Sequence, residues 1–218
     1  MDQHYSGWLN VWEIVLRIIE QSVQLEYICP DAMKYIEAAG RTCYKSEMGD
    51  TDKFIAGIIR NKHHSVIEHQ SASFRVVCNR GILGEITRHR IGMSYSVESS
   101  RYCSYDKDKF GNEIKVIRPF NMSDYQESCW KEACEIAEKN YFLMLQAGAK
   151  PDVARDVLPM SLATELVLTG TFTALRHFLH LRCSSAAHIQ IRDIANKMLA
   201  ILNYHYPIIF PMDTENYE

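Results

Sequence analysis

The sequence predicts an α/β fold: one domain with a modest mixed or antiparallel sheet packed with several helices. Three observations carry that expectation. Runs rich in β-branched and aromatic residues, such as Ser71 to Cys78, alternate along the chain with stretches of helical apolar periodicity. Glycine and proline punctuate these segments without leaving a long linker, an internal repeat or a low-complexity tract. The chain has 218 residues, 47% of them hydrophobic and 23% charged, which is enough to bury a substantial core without staples.

Each element follows from its own pattern. Trp8, Leu9, Val11, Trp12, Val15, Leu16 and Ile19 recur at roughly helical spacing, so residues 1–21 read as a helical N-terminal extension ahead of a domain over 22–218. Val23 to Ile28 reads as a short strand. Pro30 and Asp31 open a helix that ends near Gly40, where glycine can take the left-handed cap. A second helix covers about Thr51 to Asn61, with Phe54, Ile55, Ile58 and Ile59 on its apolar side. His63 to His69 reads as a turn leading into the strand Ser71 to Cys78. Gly81 to Arg90 carries Ile82, Leu83 and Ile86 at helical spacing, and from Ile91 a Gly, Ser and Tyr composition predicts a loop. Ile114 to Ile117 reads as another strand.

The clearest helix comes next. Ser123 and Gln126 have capping-box spacing, and Cys129, Ala133, Ile136, Ala137, Tyr141, Met144 and Leu145 supply an apolar stripe. Gly148 and Pro151 stop it. Ser161 to Leu168 fits either strand or helix. Thr171 to Leu181 and Ser185 to Tyr204 read as two closing helices.

Charge and cysteine usage exclude several classes. The formal net charge of −3 provides no global basic field to recruit nucleic acid. The seven cysteines are an odd number with no C-x-x-C pair, which suits reduced thiols in a cytoplasmic protein better than a disulfide framework or a thiolate zinc site. No signal peptide opens the chain. The apolar stretch from Val11 to Ile19 is broken by Glu13 and Arg17 and is too short to span a membrane.

Three clusters concentrate chemistry. Arg88-His89-Arg90 is followed by a hydroxyl-rich run through Ser94-Tyr95-Ser96 to Ser99-Ser100-Arg101-Tyr102. Arginine forks and serine hydroxyls suit phosphate, although the same residues can form a solvated helix end. His63-His64-Ser65-Val66-Ile67-Glu68-His69 matches neither H-E-x-x-H nor H-x-x-E-H, so no metal is assigned to it. The late cluster comprises Ala154-Arg155-Asp156-Val157-Leu158-Pro159, Arg176-His177-Phe178 with Arg182, and His188 with Arg192. It reads either as ligand contacts or as one wet, basic helix face.

The order and spacing of these blocks together are more specific than any one of them. The chain resembles the flavin-dependent thymidylate synthases. That family's signature is R-H-R, seven residues and a serine, commonly continued as S-x-R-Y, and Arg88-His89-Arg90 with Ser99-Ser100-Arg101-Tyr102 is similar to it. Ala38-Ala39-Gly40-Arg41-Thr42-Cys43-Tyr44 resembles the family's A-A-R-T-C-Y segment, and His63 to Glu68-His69 its H-x-S/T-x-x-E-H segment. Ala154-Arg155-x-x-Leu158-Pro159 and Arg176-His177-Phe178-x-x-x-Arg182 also fit, so the resemblance covers about Val23 to Arg192. Departures are specific. Eight residues separate Arg90 from Ser99, Val97 stands where Glu or Gln is usual, Glu85 replaces a common glutamine, and Thr171 an asparagine.

The resemblance implies FAD-dependent methylation of dUMP to dTMP, with methylenetetrahydrofolate as carbon donor and NADPH as reductant. It assigns catalytic roles to Arg182, Ser99 and His63. Glu85, Arg88, Ser99, Arg101, Arg155 and Arg182 would bind dUMP. His63, Ser65, Glu68, Arg88, His89, Arg90, Ser96 and His177 would line the FAD site. It further implies a homotetramer with active sites at subunit interfaces. No cysteine nucleophile is required in this family, which suits a chain whose cysteines lie in no activating motif. Two other readings compete. One is a diverged flavoprotein that oxidises NADPH or acts on a modified pyrimidine nucleotide. The other is a nucleic-acid module built on the arginines with interleaved Tyr95 and Tyr102, against which the acidic charge argues.

Overall fold

Strand and helix alternate as the composition suggests. The computed structural model describes residues 16–43, 45–106, 111, 113–215 and 217. Its elements run β1 (Arg17–Ile19), β2 (Ser22–Ile28), α1 (Ala32–Thr42), α2 (Thr51–Arg60), β3 (Ser71–Asn79), α3 (Arg80–Ile86) and β4 (Met93–Val97). They continue as β5 (Lys115–Ile117), α4 (Asp124–Gln146), α5 (Pro151–Ala154), β6 (Ala163–Thr171), α6 (Phe172–Cys183) and α7 (Ile189–His205). Contacts group these into two compact units: the described residues up to Ile19 with Ser99–Ala163, and Glu20–Glu98 with Thr164–Glu218.

In the first unit, β1 and β5 pair in parallel, with Ile18 opposite Val116. The helical reading of the N-terminal extension fails at Arg17–Ile19, which form this strand; its earlier part lies outside the described residues. β-branched Ile18 and Ile19 favour extended backbone once a partner strand is present, and the competition is settled by pairing. The capping box on α4 is present in full: the Ser123 hydroxyl accepts from the Gln126 N–H, and the Gln126 side chain accepts from the Ser123 N–H. The buried face of α4 is Cys134, Glu138 and Tyr141, packed with Tyr105, Ile114, Val116, Ala154 and Leu162. Cys129, Ala133 and Ile136 of the expected stripe point outward instead. The reason is Glu138, a buried carboxylate that accepts the Ile114 N–H at 2.8 Å and so turns a polar position inward.

The second unit is built on a four-stranded sheet in the order β2-β3-β6-β4. β2 pairs antiparallel with β3, with an irregularity between Leu25 and Tyr27, and β4 pairs antiparallel with β6. Along β3 every second side chain (Ala72, Phe74, Val76, Cys78) is buried in the core. Burial of a side chain such as Phe74 contributes roughly 1.5–3 kcal/mol. The same core takes Ile36 from α1, Ile55 and Ile58 from α2, Phe172, Phe178 and Leu179 from α6, and Ile191, Ile194 and Met198 from α7.

Several boundaries differ from the sequence reading for identifiable reasons. Gly40 is not a cap: α1 continues to Thr42, and the glycine is buried where a Cβ would lie 2.8 Å from the Phe54 ring. The stretch after Ile91 is a strand, not a loop, because Met93 to Val97 pair with β6. The ambiguous stretch after Pro159 resolves as β6, which runs straight into α6 through Thr171, whose hydroxyl accepts from the Ala174 N–H. His63–His69 is more regular than a turn, since His64–His69 forms a 3-10 helix. Finally, α7 begins at Ile189, where the His188 side chain accepts from the Gln190 N–H.

Candidate active site

The sequence-predicted residues fall into two clusters, one in each unit. In the second unit, α3 ends at Ile86, so Arg88, His89 and Arg90 sit on the turn leading to β4. Asn79 caps α3 at its start by accepting the Ile82 N–H at 2.8 Å. At its end, the Tyr95 hydroxyl lies against the carbonyl oxygens of Ile86, at 3.0 Å, and of His89. A half-buried tyrosine on β4 thus closes the helix end and fixes the backbone of the turn. Gly92, at φ +68, completes the turn and takes the Thr171 N–H on its carbonyl at 2.9 Å.

Arg88 and Arg90 are exposed and make no hydrogen bond or ion pair among the described residues. His89 turns the other way. Its ring packs edge-on against Phe178, with centroids 4.9 Å apart, and lies 6.1 Å from His177. Burial, then the charges of Arg182 and His177, push its imidazole down to about 4, so it is neutral at physiological pH. His89 Nε2 accepts from Arg182 Nε at 2.9 Å, and Arg182 also contacts Glu85 at 3.4 Å.

Helix α6 links this turn to the other predicted flavin residues. The Thr173 hydroxyl donates to the His64 carbonyl oxygen at 2.7 Å, and His177 stands one helical turn further on. On the 3-10 segment Ile67 is buried, while Ser65 and Glu68 are exposed, as is His63 at the segment's N-cap. Burial, with Arg176 and Lys62 adding, lowers the His64 imidazole below its ordinary range. Ser96 is exposed on β4.

The first unit holds the second cluster. Ser99 opens a tight turn in which its carbonyl oxygen accepts the N–H groups of Tyr102, at 3.1 Å, and Cys103, at 2.9 Å. Arg155 reaches this turn and donates to the Ser100 hydroxyl at 3.2 Å. Arg101 is exposed, its guanidinium 5.6 Å from the Tyr102 ring centroid. The structure therefore brings Ser99, Arg101 and Arg155 together in one unit, and Glu85, His89 and Arg182 together in the other.

A family model described as "Thymidylate synthase complementing protein" matches residues 24–208. The chain belongs to this family. Among its relatives, the flavin-dependent thymidylate synthase of Geobacter sulfurreducens is 29% identical over 192 residues, 83% of this chain and 82% of that one. The Mycobacterium tuberculosis (strain ATCC 25618 / H37Rv) protein of the same name is 32% identical over 200 residues, 80% of this chain and 77% of its own. The Campylobacter jejuni protein, also a flavin-dependent thymidylate synthase, is 34% identical over 184 residues, 79% and 88% of the two chains. The crystal structure of a UMP/dUMP methylase from Streptomyces cacaoi bound with 5-Br dUMP shares the fold. Its TM-score is 0.76 at 23% identity, over 90% of this chain and 96% of that one.

In this member of the family, one arginine of the signature blocks serves the scaffold. Arg176 is 2% exposed, donates to the Ile209 and Tyr217 carbonyl oxygens, and lies 4.2 Å from the Tyr217 ring centroid. It therefore offers nothing to an external polyanion. Tyr95, Ser100 and Thr173 are site-shaping residues that sequence reasoning did not assign. Tyr95 and Ser100 left a signal, as members of the hydroxyl-rich run after Arg90, and Thr173 left none. Among the described residues, no group of three or more His, Cys, Asp or Glu is placed to hold a metal ion, and no helix is long and apolar enough to cross a membrane.

Proposed function

We propose that the chain converts dUMP to dTMP, with FAD as cofactor, methylenetetrahydrofolate as carbon donor and NADPH as reductant. Family membership makes it an enzyme of the methyltransferase kind. The observation that carries the finer reading is Arg182, a half-buried guanidinium held beside the R-H-R turn on a scaffold of α3 and α6. A fixed cation at that place stabilises negative charge on a pyrimidine ring as C5 reacts. Bound FAD would supply the redox chemistry that carries the carbon to C5.

The protein's own residues bind and orient. Arg88 and Arg90, exposed and unspent on protein partners, suit the anionic groups of flavin and nucleotide. Ser99, Arg101 and Arg155 hold the dUMP phosphate, and His63, Ser65, Glu68, Ser96 and His177 line the flavin, with His63 near the isoalloxazine. Burial pushes the Cys78 thiol up to about 12 and those of Cys134 and Cys183 up to about 11, so none of these three is a thiolate nucleophile at neutral pH. The working form is a cytoplasmic homotetramer.

The test is anaerobic: purified protein with FAD, NADPH, methylenetetrahydrofolate and dUMP, assayed for dTMP by mass. FAD-dependent dTMP formation is the expected result. Arg182→Ala should lose about 100-fold in turnover while retaining FAD, and unchanged turnover would remove Arg182 from the mechanism. The additional residue between Arg90 and Ser99 favours one second reading, a flavoprotein acting on a modified pyrimidine or only oxidising NADPH. NADPH oxidation indifferent to dUMP, with no dTMP, would select it.

A further inference from the structure

Arg182 is held from two sides. Its Nε–H donates to His89 Nε2 at 2.9 Å, one terminal nitrogen meets a carboxylate oxygen of Glu85 at 3.4 Å, and the other donates to the Glu85 carbonyl oxygen at 3.4 Å. A guanidinium has five N–H donors, so one hydrogen on each terminal nitrogen remains for a ligand.

The two partners are themselves fixed. Phe178, one turn before Arg182 on α6, packs on the His89 ring, and the Tyr95 hydroxyl lies on the His89 carbonyl oxygen. A neutral His89 presents a lone pair on Nε2, which a guanidinium requires of its acceptor. Glu85 sits on the last turn of α3, where a carboxylate would repel a nucleotide phosphate but pairs with Arg182. Glutamine at this place would keep an acceptor and lose the charge.

We infer that Glu85 and His89 are positioning residues that orient the Arg182 guanidinium toward the pyrimidine, and that Glu85 is not itself a phosphate ligand. The inference rests on the role of Arg182 in dUMP methylation proposed above. It narrows the part that the family resemblance gives Glu85, from contact with nucleotide to control of the residue that contacts it. The contribution is to geometry, since misplacing a catalytic group by about 1 Å can cost on the order of 100-fold in rate.

The test uses the full-length protein and the variants Glu85→Ala, Glu85→Gln and His89→Ala. The Glu85 side chain is 27% exposed, so its two variants leave the core intact. Steady-state dTMP formation at varied dUMP is measured alongside 15N spectra of arginine side chains, with the Arg182 signal identified through Arg182→Lys. Glu85→Ala and His89→Ala should lower kcat about tenfold or more with KM for dUMP within about threefold, and Glu85→Gln should restore most of the loss. The Arg182 Nε–H should exchange slowly in the unaltered protein and in Glu85→Gln, and about tenfold faster in His89→Ala. A raised KM with unchanged kcat in Glu85→Ala would make Glu85 a nucleotide ligand and overturn the inference. Equal Nε–H exchange in all forms would overturn it too. If the unaltered protein makes no dTMP, the functional reading fails, while the spectra still decide whether Arg182 is held.

Discussion

At the scale of single residues, His89 shows how burial assigns a role. Its imidazole is pushed from an ordinary 6.5 to about 4 by desolvation and by the charges of Arg182 and His177. The unfolded chain therefore binds a proton between about pH 6.5 and pH 4 that the folded chain refuses. The associated stability is present above pH 6.5 and is lost as the pH falls through about 4. Urea midpoints should fall over that window, and His89→Asn should fall less steeply than the unaltered protein because asparagine does not titrate. Parallel curves would show that other groups, such as the buried carboxylate of Glu37, account for the acid sensitivity.

At the scale of elements, two joints decide whether the site keeps its shape. Glu37, fully buried on α1, accepts from the Thr51 hydroxyl at 2.5 Å, the Gly49 N–H at 2.9 Å and Arg41 Nε at 2.8 Å. These bonds hold its carboxyl below the usual range and tie the loop before α2 to α1. Glu37→Ala should cost about 2–4 kcal/mol, because it removes a buried carboxylate that three part-buried donors, Arg41 among them, share. Chemical denaturation measures the loss, and limited proteolysis should newly cut between Lys45 and Gly49. The other joint is Gly92. A Cβ there would lie 2.9 Å from both Ala174 Cβ and Thr171 Oγ1, at a positive φ besides. Gly92→Ala should destabilise by about 1–3 kcal/mol and pull the R-H-R turn away from α6. A loss of flavin affinity larger than the loss of stability would register that displacement, and wild-type values for both would refute it.

At the scale of the molecule, the end of the chain closes the second unit. Tyr217 is 2% exposed, its hydroxyl donates to the Pro211 carbonyl oxygen, and its ring covers Arg176. His180, also on α6, meets the Thr214 carbonyl oxygen at 2.8 Å. Helix α6 thus carries Arg182 on a base clamped by the C-terminal segment. Tyr217→Ala should lower stability by about 3 kcal/mol, since it removes a buried ring and uncovers a buried guanidinium. Its kcat should fall further than its KM changes. Assembly belongs to this scale as well. Light scattering on the eluted protein should give four times the 25.2 kDa chain mass, and a monomer with full activity would end the proposal of shared active sites.

The α/β class, most helices, the capping box of α4 and the ordered signature blocks were legible in the sequence, because each depends on neighbours within a few positions. Hydrophobic periodicity placed Phe54, Ile55 and Ile58 correctly on α2, and the blocks that point to the family were legible through their resemblance to its signature segments. Tertiary structure decided the rest. Whether Met93 to Val97 became strand or loop depended on β6, some 70 residues away, offering an edge to pair with. The inward turn of α4 depended on the Ile114 N–H needing a carboxylate, which no apolar pattern reveals. Adjacent members of Arg88-His89-Arg90 took opposite fates, two exposed and one against Phe178, because α3 ends just before them and frees the turn from helical spacing. Arg176 and Arg182 look alike on paper. One is a buried clamp for the C-terminal segment and the other a half-buried cation paired with Glu85 and His89, a difference made by what packs around each and by nothing in the residues themselves.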